Sequence, residues 1–458
     1  MAEGDHSTTF VKLPPTRGTI SHARMALLFM VMLVTAAGNT AMQSVMPSIG
    51  TELGVADVWI SLAYTWSALL WVICAPLWAR RSDRRGRKAM MAVGLIGFIL
   101  SFGLCGLALV AGLNGLLGAT ATLLLFAAAR SLYGGFGSAA PPAVQAYVAS
   151  RTARAERTKA LALVASSFGL GTVIGPAIAP LLIFGGGGAG LAGPFFIFAG
   201  FGIIVLLALR LRLPNDDPAF AARGQVASAP FSASAGNGAI THEEEIEEGA
   251  GHQDDGIIPE LHWRDRRLRP WLVTGLVGGH AQAALLGLAG FFVLDRLGLR
   301  ADPGAGAGPV GTVLMAGAGA TLLAQWGLIP LLNMGPRASV LWGMGVALIG
   351  TIALAFAGDL HAIALSFAIA SLGFGLYRPG FTAGASLAVT RAEQGQVSGI
   401  VASLNGAAYI VAPALGVWLY NHHEAIGFAT IGGLCAGVLG WGWRALDSDA
   451  GLMSRETS

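Results

Sequence analysis

Residues 79–88 read Ala-Arg-Arg-Ser-Asp-Arg-Arg-Gly-Arg-Lys and stand between two apolar runs, 58–79 and 89–112. Each run is long enough to cross a bilayer, because about 20 residues at ~1.5 Å of rise cover a hydrocarbon core of roughly 30 Å. The cations Arg80, Arg81, Arg84, Arg85, Arg87 and Lys88, with the single acid Asp83, form a short polar hinge that cannot enter lipid. Gly86 permits a tight turn between two antiparallel helices. Arginine and lysine also decide which side of the membrane such a loop stays on.

Outward from this hinge the chain holds twelve runs of spanning length: 25–48, 58–79, 89–112, 118–148, 160–184, 194–213, 271–294, 309–332, 339–357, 362–389, 397–420 and 425–443. The composition agrees. Of 458 residues 54% are hydrophobic and only 12% charged, against roughly 25% charged in an average soluble domain. That excludes a soluble globular enzyme and a disordered chain. A net charge of +3 offers no surface for a nucleic-acid partner. Cys74, Cys105 and Cys435 each lie inside an apolar run, so no disulfide framework is expected. The first 23 residues are mostly polar and the run after them is too long for a signal core, so no cleavable signal peptide is expected either.

Of the 28 basic residues, 24 fall on one side of the twelve runs, two on the other (Arg296 and Arg300) and two inside the membrane (Arg130 and Arg378). The positive-inside rule then predicts a multi-pass protein of the inner (cytoplasmic) membrane with both termini cytoplasmic. The expected organisation is an N-terminal tail at 1–24, a six-helix bundle at 25–213, a hydrophilic linker at 214–270, a second bundle at 271–443 and a tail at 444–458. The linker carries a Ser/Ala/Gly stretch and the acidic run Glu243 to Glu248, the composition of a solvated connector.

A shift of 237 residues superposes the halves. Arg154-Ala155-Glu156 falls on Arg391-Ala392-Glu393, Val164-Ala165-Ser166 on Val401-Ala402-Ser403, Gly169 on Gly406, Pro142 on Pro379 and Pro176-Ala177 on Pro413-Ala414. Parallel six-helix halves are a transporter architecture, with the substrate held between them near mid-membrane.

Three motifs sharpen the reading. The order Asp-x-x-Gly-Arg-Lys at 83–88 resembles the major facilitator superfamily, whose signature at this loop is G-x-L-A-D-R-x-G-R-K. Asp83, Arg84, Gly86, Arg87 and Lys88 match it, and Ala79 replaces the leading glycine. The resemblance implies an all-α membrane protein of twelve transmembrane helices in two pseudo-symmetric six-helix bundles, and a conformational latch at these residues. Gly171-Thr-Val-Ile-Gly175-Pro176 joins a close-packing spacing to a helix-bending proline. It resembles the G-x-x-x-G-P motif of the drug:proton antiporter branch, although Ala179 and Pro180 depart from that branch's usual continuation. Arg130-Ser-Leu-Tyr133-Gly134 resembles the same branch's R-x-x-Q-G, with Tyr133 at the glutamine position; the resemblance implies a part for Arg130 in proton transfer.

The polar residues inside the spans are the candidate site. A buried charge costs at least ~2.5 kcal/mol on insertion scales, so Arg130 and Arg378 should face a cavity or a partner. His280 titrates near neutrality when unperturbed. Asn39 and Gln43 share a face of the first span, as Asn405 and Tyr409 do in the eleventh. The expected substrate site is therefore Asn39, Gln43, His280, Arg378, Asn405 and Tyr409, and the expected proton-coupling set is Arg130, His280 and Asp295. Two buried arginines without a mid-span carboxylate favour an anionic, zwitterionic or neutral amphipathic substrate over a cationic one.

Together these features predict a proton-coupled secondary exporter, of the multidrug-efflux type, working by alternating access. Its expected partners are a small-molecule substrate, protons and the bilayer; no cofactor or metal is expected, and the chain should act as a monomer. An uptake symporter or facilitator for a small organic anion is the alternative. A membrane-embedded enzyme is more remote, because the spans lack clustered acids and bases. No G-x-x-x-x-G-K-[ST] loop is present to support ATP-driven transport.

Overall fold

The computed structural model describes residues 20–152, 154–184, 188–214, 264–389 and 393–449. Most of the expected linker and of both tails lies outside the described residues. In hydrocarbon every backbone N–H and C=O must be satisfied within its own segment, so apolar runs fold as helices. The described residues accordingly form helices and turns and no strand.

The helices are α1 (His22–Glu52), α2 (Asp57–Arg85), α3 (Arg87–Leu113), α4 (Ala119–Gly135), α5 (Ala140–Arg151), α6 (Arg154–Ile178), α7 (Gly193–Arg212), α8 (Arg269–Arg296), α9 (Pro303–Leu322), α10 (Ile329–Leu331), α11 (Pro336–Phe356), α12 (Leu360–Leu387), α13 (Gln394–His422) and α14 (Glu424–Ala445). With α4 and α5 read as one crossing, and α9 and α10 as another, they make the twelve expected crossings, six in each half. Nine helices among the described residues are, each alone, long and apolar enough to cross a bilayer. The outer surface is apolar too, with Leu211 83% and Phe356 84% exposed, as expected of side chains that face lipid.

Three local features differ from the sequence expectation, each for a physical reason. The hinge at 80–88 is largely helical: α2 runs on to Arg85, α3 begins at Arg87, and Gly86 alone makes the turn at φ 89°. That φ is strained for a residue with a Cβ. The fourth run is broken rather than continuous. A 3-10 turn at Gly137–Ala139 separates α4 from α5, which restarts with proline at its first positions. Pro141 and Pro142 have no N–H to return to the preceding turn. The eighth run begins at Pro303 and passes through a π-helical turn, Leu323–Leu328, before α10. Pro330 removes a backbone donor there, and a π turn is one way to absorb it.

The internal repeat is visible in the packing. The second crossing of each half lies against the fifth of the other, α2 on α13 and α9 on α6, while α1 meets both α8 and α9 across the central interface. Below, the end of the molecule that carries Gly86 is called the basic end, and the other the far end.

Candidate functional site

Two cavities lie between the halves. The first, about 630 Å³, is walled by Gln43 and Pro47 of α1, Ile60, Ser61, Tyr64 and Ala68 of α2, Ala283, Leu286, Gly287, Gly290 and Phe291 of α8, Leu314 of α9, and Tyr409 and Pro413 of α13. The second, about 560 Å³, is walled by Thr40 and Gln43 of α1, Thr172 and Pro176 of α6, Gln282, Leu285 and Leu286 of α8, Leu314, Gly317, Ala318 and Thr321 of α9, and Phe367, Ser371 and Phe374 of α12. Gln43, Leu286 and Leu314 belong to both, so the cavities adjoin along one partition. Among the described residues no charged side chain lines either one.

Within the N-terminal half, Gly171 and Gly175 let α6 pack closely on α1 beside the second cavity. A Cβ at Gly175 would stand 2.2 Å from the Ala37 carbonyl oxygen and 2.4 Å from Thr40 Oγ1; one at Gly171 would stand 2.6 Å from the Leu33 carbonyl oxygen. Helix α6 therefore lies directly on the α1 backbone, and Thr40 donates across the seam to the Gly171 carbonyl at 3.3 Å. Pro176 follows at the cavity wall.

Arg130 is fully buried in the N-terminal half and lines neither cavity. Its Nη2 donates to Asn39 Oδ1 at 3.0 Å, and its guanidinium sits over the Tyr133 ring at 4.6 Å. Among the described residues its Nε and Nη1 have no hydrogen-bond partner, and no carboxylate pairs with it. Arg130 and Asn39 thus belong to one cluster inside the N-terminal half, and Asn39 too lines neither cavity.

The remaining expected residues divide as follows. Gln43 lines both cavities and Tyr409 the first. Arg378 is buried on α12, lines neither, and lies in electrostatic contact with Tyr409. It reaches the first cavity only through that ring. Neither guanidinium stands on the cavity walls; each acts on the first cavity from one residue behind it, Arg130 at Tyr64 and Arg378 at Tyr409. Asn405 is half-buried, and His280 is partly exposed with Nδ1 2.7 Å from the Leu276 carbonyl oxygen; neither lines a cavity. At the basic end Arg87 is buried and donates to the Ala146 carbonyl, while Lys88 donates to the Arg210 carbonyl at 3.1 Å and to that of Leu213. Both cations satisfy carbonyls in or beside the last turns of α5 and α7, where the helix dipole favours positive charge. The Asp83 and Arg84 side chains lie outside the described residues.

Asp295 enters a network that the sequence reading did not anticipate. Arg300 Nη1 and Nη2 donate to Asp57 Oδ1 and Oδ2 at 2.8 and 2.7 Å, and Nη1 also donates to Thr51 Oγ1 at 3.2 Å. Its Nε and Nη2 donate to Asp295 Oδ1 and Oδ2 at 2.7 and 3.1 Å. Tyr420 Oη donates to Asp295 Oδ2 at 2.9 Å. Asp57 and Thr51 belong to the N-terminal half, and Arg300, Asp295 and Tyr420 to the C-terminal half, so Arg300 bolts the halves together at the far end. The hydrogen bonds to Asp57, opposed by burial and supported by Asp295, raise the guanidinium pKa above the ordinary arginine value. The bolt sits over the first cavity: the Arg300 Cζ lies 5.8 Å from the Phe291 ring, and Ile60 and Ser61 lie one turn from Asp57. The signal that could have found it is scarcity, since Arg296 and Arg300 are the two basic residues expected on that side.

Two pseudo-symmetric six-helix halves around a central cleft are a transporter architecture, and the chain belongs to the Major Facilitator Superfamily, whose model matches residues 28–413. It is 30% identical over 176 residues to Multidrug resistance protein 1 of Bacillus subtilis, a match covering 38% of this chain and 41% of that one. It is 30% identical over 178 residues to a probable actinorhodin transporter of Streptomyces coelicolor, covering 39% and 28%. A third relative, Multidrug resistance protein MdtG of Proteus mirabilis, is 29% identical over 154 residues, covering 32% and 35%. The chain thus spans about two fifths or less of the length of these relatives. Its fold is similar to that of the human organic anion transporter MFSD10 (TETRAN), with TM-score 0.60 and 17% identity over 92% of this chain and 100% of that one. It is also similar to a bacterial homologue of the human lysosomal transporter Spinster, inward-facing and occupied, with TM-score 0.62 and 15% identity over 94% and 90%. The protein is therefore a multi-pass membrane protein of the Major Facilitator Superfamily.

Proposed function

We propose that this transporter is a proton-coupled exporter of small amphipathic compounds, acting as a monomer by alternating access. The observation that carries the reading is the cleft between the halves, uncharged along its walls and closed at the far end by the Arg300 bolt. The basic end is taken as cytoplasmic, with both termini, so the bolt closes the external mouth. The names of the multidrug relatives support export. In this reading substrate enters from the cytoplasmic side or the inner leaflet, and the bolt releases when the halves rock apart outside. Asp295, on the bolt and facing the outer aqueous phase, is the carboxylate that takes up the driving proton. Arg130 and Asn39 join α4 to α1, so a change at either helix is felt at Gln43 one turn along. His280 lies beyond the cavities on α8 and adjusts the pH dependence of the cycle. Asp83, Arg84, Gly86, Arg87 and Lys88 form the opposite latch, at the cytoplasmic mouth, with Arg87 and Lys88 bracing it inside the N-terminal half in both states.

The experiment is gradient-driven flux in inside-out vesicles, with a panel of fluorescent amphiphiles of different charge. An acid interior should drive accumulation, and a protonophore should abolish it. Accumulation that persists after the gradient collapses, or flux only in the direction of uptake, would remove the exporter reading.

A further inference from the structure

We propose that the paired cavities take an uncharged amphiphile with two unlike lobes, apolar in the first cavity and bearing hydrogen-bond donors, hydroxyl or amide, in the second. This rests on the reading of the cleft as the transport site, and it names the substrate class that site selects.

The exclusion of charge comes first. An ionic group brought between these walls loses its hydration and meets no opposite charge among the described lining residues, which costs several kcal/mol. The cost is greatest for a lipophilic cation, which also meets the fields of Arg130 and Arg378 one residue behind the walls, at Tyr64 and Tyr409; an organic anion pays the same desolvation and finds no cation on the described linings to bond.

The preference for donors comes from the hydroxyls of the second cavity. Thr172 donates to the Gly169 carbonyl at 2.6 Å. Thr321 donates to the Gly317 carbonyl at 3.0 Å and the Ser371 carbonyl at 3.1 Å. Thr40 donates to the Ala36 carbonyl at 3.0 Å. A hydroxyl has one hydrogen, and in each of these it is committed to backbone; what remains is lone pairs and a methyl group. Those three hydroxyls present acceptors to the cavity, beside Gln282 and Ser371, whose side chains can accept as well as donate, and the complement of the threonines is a ligand lobe that donates.

The first cavity lacks this character. None of the three threonines lines it; Ile60, Ala68 and Phe291 belong to it alone, its hydroxyls are those of Ser61, Tyr64 and Tyr409, and that of Tyr64 donates to the Met42 carbonyl at 3.3 Å. Gln43, on the partition, has both donors and an acceptor and can serve either lobe. The asymmetry orients the ligand, with its apolar lobe toward α2 and α13 and its donor lobe toward α6 and α12.

The test uses the full chain in lipid nanodiscs free of glycoside detergent. The probe is 4-methylumbelliferyl β-D-glucoside, which is uncharged, has an aromatic lobe, and donates through its sugar hydroxyls. Its fully O-methylated ether keeps the oxygens and removes the donors, and the threonine variants separate that loss from the bulk of its four added methyl groups; tetraphenylphosphonium supplies a lipophilic cation. The glucoside should bind saturably, the ether at least about tenfold more weakly, as loss of several neutral hydrogen bonds implies, and the cation should compete poorly. Thr172→Val and Thr321→Val should each weaken the glucoside roughly three- to tenfold, one hydrogen bond's worth, and leave the ether unchanged. Thr321 also ties α9 to α12, so its variant is read beside a melting curve; Thr172 bonds only within its own helix and carries the test alone if the other unfolds. Leu286→Trp, on the partition, should abolish binding of every probe that uses the cleft. An ether that binds as well as the glucoside, a cation that displaces it efficiently, or no saturable glucoside binding overturns the donor-lobe proposal. Glucoside binding untouched by Leu286→Trp overturns instead the underlying reading of the cleft as the transport site.

Discussion

The two ends of the molecule use charge differently. At the far end Arg300 crosses between halves to Asp57 in a bidentate pair, with Asp295 and Tyr420 behind it. At the basic end the described polar bonds stay within a half. Arg87 and Lys88 hold carbonyls of α5 and of the end of α7; Arg267 pairs with Asp265 and Glu393 at 2.8 Å each; and Asp449 accepts from the Arg337 backbone N–H at 2.7 Å. The difference separates bolts from braces. A bolt must form and break once in each cycle, so it suits a half-buried pair that water can reach: the Arg300 side chain is 31% exposed and that of Asp57 7%. A brace must survive both states, so it belongs inside one rigid half.

The strongest way to break this comparison is Arg300→Glu, which places a third acid beside Asp57 and Asp295. A pair intermediate between exposed and buried is worth roughly 1–3 kcal/mol, so its reversal should shift the far-end equilibrium on the order of tenfold or more. The reporter is a cysteine at Ser61, beneath the bolt, in a Cys74→Ser background. Its labelling by an impermeant thiol reagent from the far side should rise by about that factor, and transport should fall. Unchanged labelling would show that the halves are held shut by packing alone.

A finer test separates the two carboxylates on the same arginine. Asp57 crosses the interface, whereas Asp295 lies in the same half as Arg300. Asp57→Asn should raise labelling at the Ser61 position several-fold, and Asp295→Asn less, because it leaves the crossing pair intact. Equal effects would mean that the network acts as one unit rather than as a bolt with a support.

The contrast between the ends also marks what the sequence could carry. Spans, halves and the turn at Gly86 were legible because hydropathy, arginine bias and glycine's freedom at φ 89° are local properties. A close helix approach was legible at Gly171 and Gly175 for the same reason, since small residues one turn apart announce one, but its partner, α1, was not. The breaks at Gly137–Ala139 and Leu323–Leu328 were not read, although Pro141, Pro142 and Pro330 stood beside them; a lipid-spanning helix often tolerates proline, so the residue alone does not decide. The bolt was illegible because Asp57 and Arg300 stand 243 residues apart and each looks like an ordinary loop charge. Of the cavity walls, Gln43 and Tyr409 could be picked out as polar groups in apolar runs. Thr172 and Thr321 could not, because a threonine that bonds its own helix and one that faces a ligand have the same sequence appearance.

Arg87→Gln sharpens the other side of the comparison. Arg87 is buried, and a hydrogen bond from a charged group is worth roughly 1.5–3 kcal/mol. The expected outcome is a melting temperature lowered by a few degrees, with labelling at the Ser61 position unchanged. A brace variant that opened the far end would show that the basic end controls the bolt.

The smallest expected effect lies at Asp265, on the aqueous approach to α8. Its hydrogen bonds from Arg267 hold the carboxyl below the ordinary aspartate value of 3.8. A depressed carboxylate pKa contributes stability that is fully present above the unfolded value and is lost as pH falls through the folded one. Asp265→Asn should therefore melt slightly below the parent at neutral pH, and the two curves should converge only in strong acid, below the ordinary aspartate range. The gap is that of an exposed pair, about 0–1 kcal/mol, and Glu393 keeps a second hold on Arg267. Melting curves from neutral pH into acid check the sign: a gap that widened as pH fell would mean that the carboxyl is stabilised in its protonated form. Labelling at the Ser61 position should not respond to this variant at any pH, because the Asp265–Arg267–Glu393 cluster joins two elements of the same half and has no part in the far-end closure.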